Sequence, residues 1–96
     1  MVKHIVMFKL KENSPENIDL VLSTLWGLEG KIETLRMIEV GLDCNKSERA
    51  YDIVLTTHFD DEEGLAAYVA HPKHLPVIDT MRALCSSSIV VDYLTE

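Results

Sequence analysis

The first ten residues, "MVKHIVMFKL", carry apolar side chains at both odd and even positions. A half-buried strand would alternate, whereas a strand covered on both faces reads this way, so residues 2–10 are expected to form a doubly buried strand. The same reading applies to "YDIVLTTHF", residues 51–59, and to "SSSIVVDYL", residues 86–94. A shorter strand, "TLRMIEVG", is expected over residues 34–41.

Between these runs the apolar period lengthens to that of a helix. Ile18, Val21, Leu22, Leu25 and Trp26 form one stripe behind Ser14, a good N-cap, and Pro15, which suits a first helical position. Gly27 and Gly30 offer places to stop. A second helix begins at Asp60 or Asp61, where Asp60 and Glu63 have capping-box spacing, and it places Leu65, Tyr68 and Val69 on one face. Pro72 breaks it, and a third helix is expected over residues 75–85, with Pro76 in its first turn.

The resulting order, β-α-β-β-α-(α)-β, is that of a ferredoxin-like α+β fold: a four-stranded antiparallel sheet with its helices on one face. Those helices can hide only one side of the sheet. The strands are apolar on both sides, and 96 residues leave nothing to cover the second. Two copies packed sheet against sheet, a dimeric α+β barrel, resolve the mismatch, so a homodimer is the expected partner state.

Length and composition narrow the rest. Residues 1–96 are expected to be a single domain, 47% hydrophobic, too apolar for disorder. Sixteen acids against nine bases give a net charge of −7. That balance excludes the basic footprint of a nucleic-acid binder and disfavours an anionic membrane surface. Lys9 and Lys11 interrupt the opening apolar run before it reaches signal-peptide or membrane-span length, which leads to a cytoplasmic expectation. Cys44, in a polar stretch, and Cys85, at the end of an apolar helix, are expected as free thiols.

The densest chemistry lies in "YVAHPKHLPVI", with Tyr68, His71, Pro72 and His74. Together with "VKHIVMFKLK" at the start, the run "YDIVLTTHFDDEEGLAAYVAHPKHLPVI" and the closing "IVVDYL", it resembles the stress-responsive dimeric α/β-barrel (Dabb) family over nearly the whole chain. The resemblance implies the dimeric barrel and, for most members, no assigned activity. One plant member of the family is a polyketide cyclase. The resemblance puts its catalytic tyrosine and histidine at Tyr68 and His74, and also matches His4. A further histidine of that cyclase falls at Ile53 here. The large aromatics of its pocket are replaced by Val21, Leu22 and Leu25, so its substrate does not carry over.

The residue types allow specific chemistry. A neutral imidazole at His74 can take a proton from carbon beside a carbonyl, and the Tyr68 hydroxyl can donate to the oxygen on which charge builds. That pair suits cofactor-free enolisation followed by aldol-type closure. The bland alternative is a buried phenol and a junction imidazole that each satisfy a backbone group. His4, Phe8, Leu22, Leu25 and His71 are expected around a pocket for a small apolar or carbonyl-rich ligand, to which Trp26 could add a wall. His71 and His74 at i, i+3 have no third ligand nearby in sequence, so no metal is expected, and no cofactor either. His58 is expected at the surface. Two other readings stand beside the cyclase: a non-catalytic stress-related or ligand-binding dimer, and a cofactor-free monooxygenase of the wider dimeric-barrel superfamily.

Overall fold

The computed structural model describes residues 1–95. Their elements run β1 (Val2–Leu10), α1 (Pro15–Trp26), β2 (Met37–Leu42), β3 (Ile53–Phe59), α2 (Glu62–Val69), α3 (Leu75–Leu84) and β4 (Cys85–Leu94). The strands form one antiparallel sheet in the order β2-β3-β1-β4. This is the ferredoxin-like arrangement, with the strand doubly buried by pattern, β1, next to the centre.

The register sorts the two faces. His4 lies opposite Thr57 on β3 and Asp92 on β4, and Phe8 lies opposite Ile53 and Ser88. Side chains in phase with His4 therefore face the helices. There Val2, Phe8, Ile53, Leu55 and Phe59 pack under Val21 and Leu25 of α1, Tyr68 of α2 and Met81 of α3. The opposite face carries Ile5, Met7, Val54, Ile89, Val91 and Tyr93 with no helix over it. Val91 there is 63% exposed. One face is thus a core over β1 and β3, although Val90 and Leu94 of β4 stay exposed on that side, and the other is an apolar surface.

Local chemistry sets the element ends. Ser14 Oγ accepts from the Asn17 N–H at 3.2 Å, with Pro15 in the first turn. The α2 cap is Asp61, whose carboxylate accepts from the Gly64 N–H at 2.8 Å. Asp60 instead pairs with Arg36 at 2.9 Å, so the Asp60–Glu63 capping box does not form. β2 begins at Met37 rather than residue 34, because Thr34 is turned aside to donate to the Gly64 carbonyl at 2.9 Å. α3 ends at Leu84, and Cys85 opens β4 in extended backbone. Trp26 sits at the margin of its stripe and is exposed, leaving Val21 and Leu25 to carry the packing. Gly30 holds a left-handed φ of 74° in the turn after α1, where a side chain would be strained.

Candidate functional site

Tyr68 is carried inward by α2, whose last turns lie over β3. Its ring is fully buried and packs against Phe59, with ring centroids 5.0 Å apart. The phenol hydroxyl is buried too, and no described group hydrogen-bonds to it. A buried hydroxyl without a partner costs free energy, so native structures rarely keep one without a use for it. Burial pushes the Tyr68 pKa up to about 12, which keeps the phenol protonated and able to donate.

His74 reaches the same place by a different route. After Val69 the chain makes one tight turn: the His71 N–H donates to the Tyr68 carbonyl at 3.1 Å, and the His74 N–H donates to the His71 carbonyl at 2.9 Å. Pro72 prevents a regular helix through this turn. The result folds the imidazole back over Tyr68, with ring centroids 4.2 Å apart and planes inclined by 36°. His74 Nδ1 lies 3.1 Å from the Val69 carbonyl oxygen. A carbonyl only accepts, so Nδ1 carries the hydrogen and Nε2 keeps its lone pair. Burial is the largest influence on His74 and lowers its pKa. The Val69 hydrogen bond opposes this, and the neighbouring His4 and His71 reinforce it. The ring is therefore held neutral at neutral pH, as a base requires.

A third ring closes the corner. His4 stands edge-on to Tyr68 at 6.0 Å. Its Nδ1 is bonded to the Asp92 carboxylate, its cross-strand neighbour on β4. A carboxylate accepts here, so His4 Nδ1 carries a hydrogen and the ring orientation is fixed.

Tyr68, His74 and His4 line a cavity of about 390 Å³ between helices and sheet. Its apolar walls are Val6, Phe8 and Leu55 from the sheet, Leu25 from α1, and Val77, Ile78 and Met81 from α3. Cys85 also borders it, but burial and the charge of Asp52 push the thiol pKa up. A thiolate nucleophile is not favoured there. Among the described residues no group of three or more His, Cys, Asp or Glu side chains could hold a metal ion.

Of the residues expected at a site, His4, Phe8, Leu25, Tyr68 and His74 meet in this cavity. Leu22 and His71 stand outside its lining. Leu22 is one position, about 100° of helix, away from Val21 and only partly buried. His71 accepts from the Lys73 N–H at 3.0 Å through Nδ1 and directs Nε2 to Glu33 at 3.4 Å, so it works as a fitting of the turn. His58 is half-buried on the uncovered sheet face, away from the cavity. Asp92, Arg82 and Ser86 to Ser88 were not singled out by pattern. A single acid inside the apolar "IVVDYL" was the available signal for Asp92.

The family model described as Stress responsive A/B Barrel Domain (Dabb) matches residues 2–95 of this sequence. The chain belongs to this family. It is 28% identical over its whole length to a stress-response A/B barrel domain-containing protein of Arabidopsis thaliana, of whose length it spans 37%. Among solved structures, a dimeric Bacteroides fragilis protein of unknown function and ferredoxin-like fold is 34% identical, with a TM-score of 0.82 over 98% of this chain and 95% of that one. A hydroxynitrile lyase from Passiflora edulis shares the fold at 19% identity, with a TM-score of 0.86 over 99% of this Dabb chain and 93% of the lyase.

Proposed function

We propose that this protein is a homodimeric, cofactor-independent acid–base catalyst that enolises a small carbonyl compound and closes it by an aldol-type step. The observation that carries the reading is the Tyr68 hydroxyl, without a hydrogen-bond partner among the described residues and buried in a cavity wall beside an imidazole whose Nδ1 is tied to a backbone carbonyl. In the proposed step His74 Nε2 removes a proton from the carbon next to a carbonyl. The C–H electron pair forms the enolate double bond, and the carbonyl π electrons move onto oxygen, where the Tyr68 hydroxyl donates to the charge. The enolate carbon then attacks a second carbonyl carbon of the same molecule, forming the C–C bond. The new alkoxide takes its proton back from the His74 imidazolium. No electrons leave the substrate, and no redox partner is needed.

Run backwards, the same pair removes a hydroxyl proton while a C–C bond breaks. Cyanohydrin cleavage belongs to that class of reaction, and the fold shared with the hydroxynitrile lyase is compatible with it. The homodimer is supported by the exposed apolar side chains Met7, Ile89, Val91 and Tyr93 on the uncovered face and by the dimeric state of the Bacteroides fragilis protein.

The test is α-proton exchange in D2O, followed by NMR on an alkyl aryl ketone and corrected for buffer-catalysed exchange. Wild-type protein accelerates exchange. His74→Gln and Tyr68→Phe each lower the protein-dependent rate by at least about 100-fold, the usual scale for a positioned acid or base. Exchange unchanged in both variants would leave a binding protein without this chemistry.

A further inference from the structure

The cavity is not uniform along its length. Tyr68, His74 and the His4–Asp92 pair gather at one end. At the other end α3 finishes and β4 begins, and there Arg82, Ser86, Ser87 and Ser88 join the lining. Four sheet positions separate His4, opposite Asp92, from Phe8, opposite Ser88, which is about 13 Å of strand. Eight positions of α3 separate His74 from Arg82, about 12 Å of helix rise. The Arg82 side chain leans back towards the helix N-terminus and shortens that span.

The polar end is built by an irregularity. Leu10 pairs with Cys85 and Lys9 with Ser87, so the register shifts and Ser86 is the extra residue of a bulge. The bulge lets four consecutive residues, 85–88, border the cavity, which a regular strand with alternating side chains would not do. The Ser86 hydroxyl donates to the Lys9 carbonyl at 3.3 Å, whereas those of Ser87 and Ser88 have no hydrogen-bond partner among the described residues. Arg82 is the one basic residue other than histidine on the cavity wall and has no ion-pair partner among the described residues. In a chain with net charge −7, a solitary guanidinium beside hydroxyl groups at the open end of an apolar cavity is a distinct local environment.

We infer that this end of the cavity binds the carboxylate of an amphiphilic substrate, with the apolar body lying along Met81, Val77 and Phe8 towards Tyr68 and His74. The inference rests on the proposed carbonyl chemistry for its direction, since it places the anionic head on the order of 10 Å from the reacting carbon. The planar guanidinium matches a carboxylate bidentately, and the serine hydroxyls can donate to the same oxygens. A single cation on an acidic protein suits a monoanion better than a phosphate dianion. Arg82 also sits in the last turn of α3, where a cation offsets the helix dipole. That role alone would give no ligand preference.

The experiment compares octanoate, neutral octanamide and octyl phosphate by isothermal titration calorimetry on wild type, Arg82→Gln, Ser88→Ala and His74→Gln. Octanoate is expected to bind at least tenfold more tightly than octanamide. Arg82→Gln erases that preference and leaves octanamide affinity unchanged, Ser88→Ala reduces it, and His74→Gln keeps it. Equal affinities, a preference that survives Arg82→Gln, tighter binding of octyl phosphate, or no binding of any of the three overturns the inference. Absence of a carboxylate preference in the wild-type protein, with ketone exchange intact, refutes only this inference. Retained preference with no exchange refutes only the proposed catalysis.

Discussion

Tyr68 and His74 are joined by a single turn whose backbone serves both: the Tyr68 carbonyl accepts from the His71 N–H, and the Val69 carbonyl accepts from His74 Nδ1. The turn thereby orients the imidazole over a phenol that has no hydrogen-bond partner among the described residues. Stability and chemistry separate at this point, because the Tyr68 hydroxyl contributes nothing visible to folding.

Tyr68→Phe is therefore expected to leave stability unchanged or raise it by up to about 1 kcal/mol, since it removes an unpaired buried polar group and keeps the ring. Urea denaturation measures this. A loss of about 1 kcal/mol or more would mean that the hydroxyl is bonded in the native state.

The depressed pKa of His74 makes stability depend on pH. The unfolded imidazole takes up a proton near pH 6.5, while the buried ring resists until a lower pH. The unfolded state thus binds more protons in that interval, and stability rises as pH rises through it, reaching its full value above about 6.5. His58, lowered chiefly by burial and then by Lys3, acts in the same direction. Glu33, lowered by its backbone hydrogen bond and then by His71, acts only in the carboxylate range below. Melting temperatures measured from pH 5 to 7 should climb by a few degrees. His74→Gln should flatten the climb, and an unchanged slope in that variant would assign it elsewhere.

Asp92→Asn retains the shape of the strand pair but removes the charge that selects the His4 tautomer. Ketone exchange is expected to fall by about 10-fold, the lower end of what orienting partners contribute. The far-ultraviolet circular dichroism should not change, because Asp92 is an exposed strand residue. Exchange at the wild-type rate would make the His4–Asp92 pair purely structural.

Val91→Lys places a charge in the middle of the uncovered sheet face. The protomer fold should lose no more than about 0.5 kcal/mol, as expected for an exposed position. Sedimentation velocity should show the dimer replaced by monomer. Ser23→Lys, on the exposed side of α1, serves as the control and remains dimeric.

Much of the architecture was legible because it is local. Runs apolar at both odd and even positions marked β1, β3 and β4, a period-3.6 stripe marked α1, and the two-sided strands exposed the missing cover. The turn at Pro72 was equally plain. What pattern could not show depends on pairing between distant residues. Asp92 reaches His4 only through the β1–β4 register, and the serines reach the cavity only through the bulge beside Leu10. Leu22 and Leu25 looked alike on a helical stripe, yet the roughly 60° between them around the helix decides which enters the cavity. Asp60 and Asp61 both offered caps until Arg36, brought alongside by the β2–β3 pairing, claimed Asp60.

The central claim is that His74 is a neutral base whose free Nε2 serves the cavity, and long-range 1H–15N NMR of the histidine side chains tests it most directly. The expected spectrum assigns His74 to the Nδ1–H tautomer, titrating below pH 6.5. A His74 ring protonated on Nε2 in its neutral form, or one titrating above pH 6.5, contradicts the account.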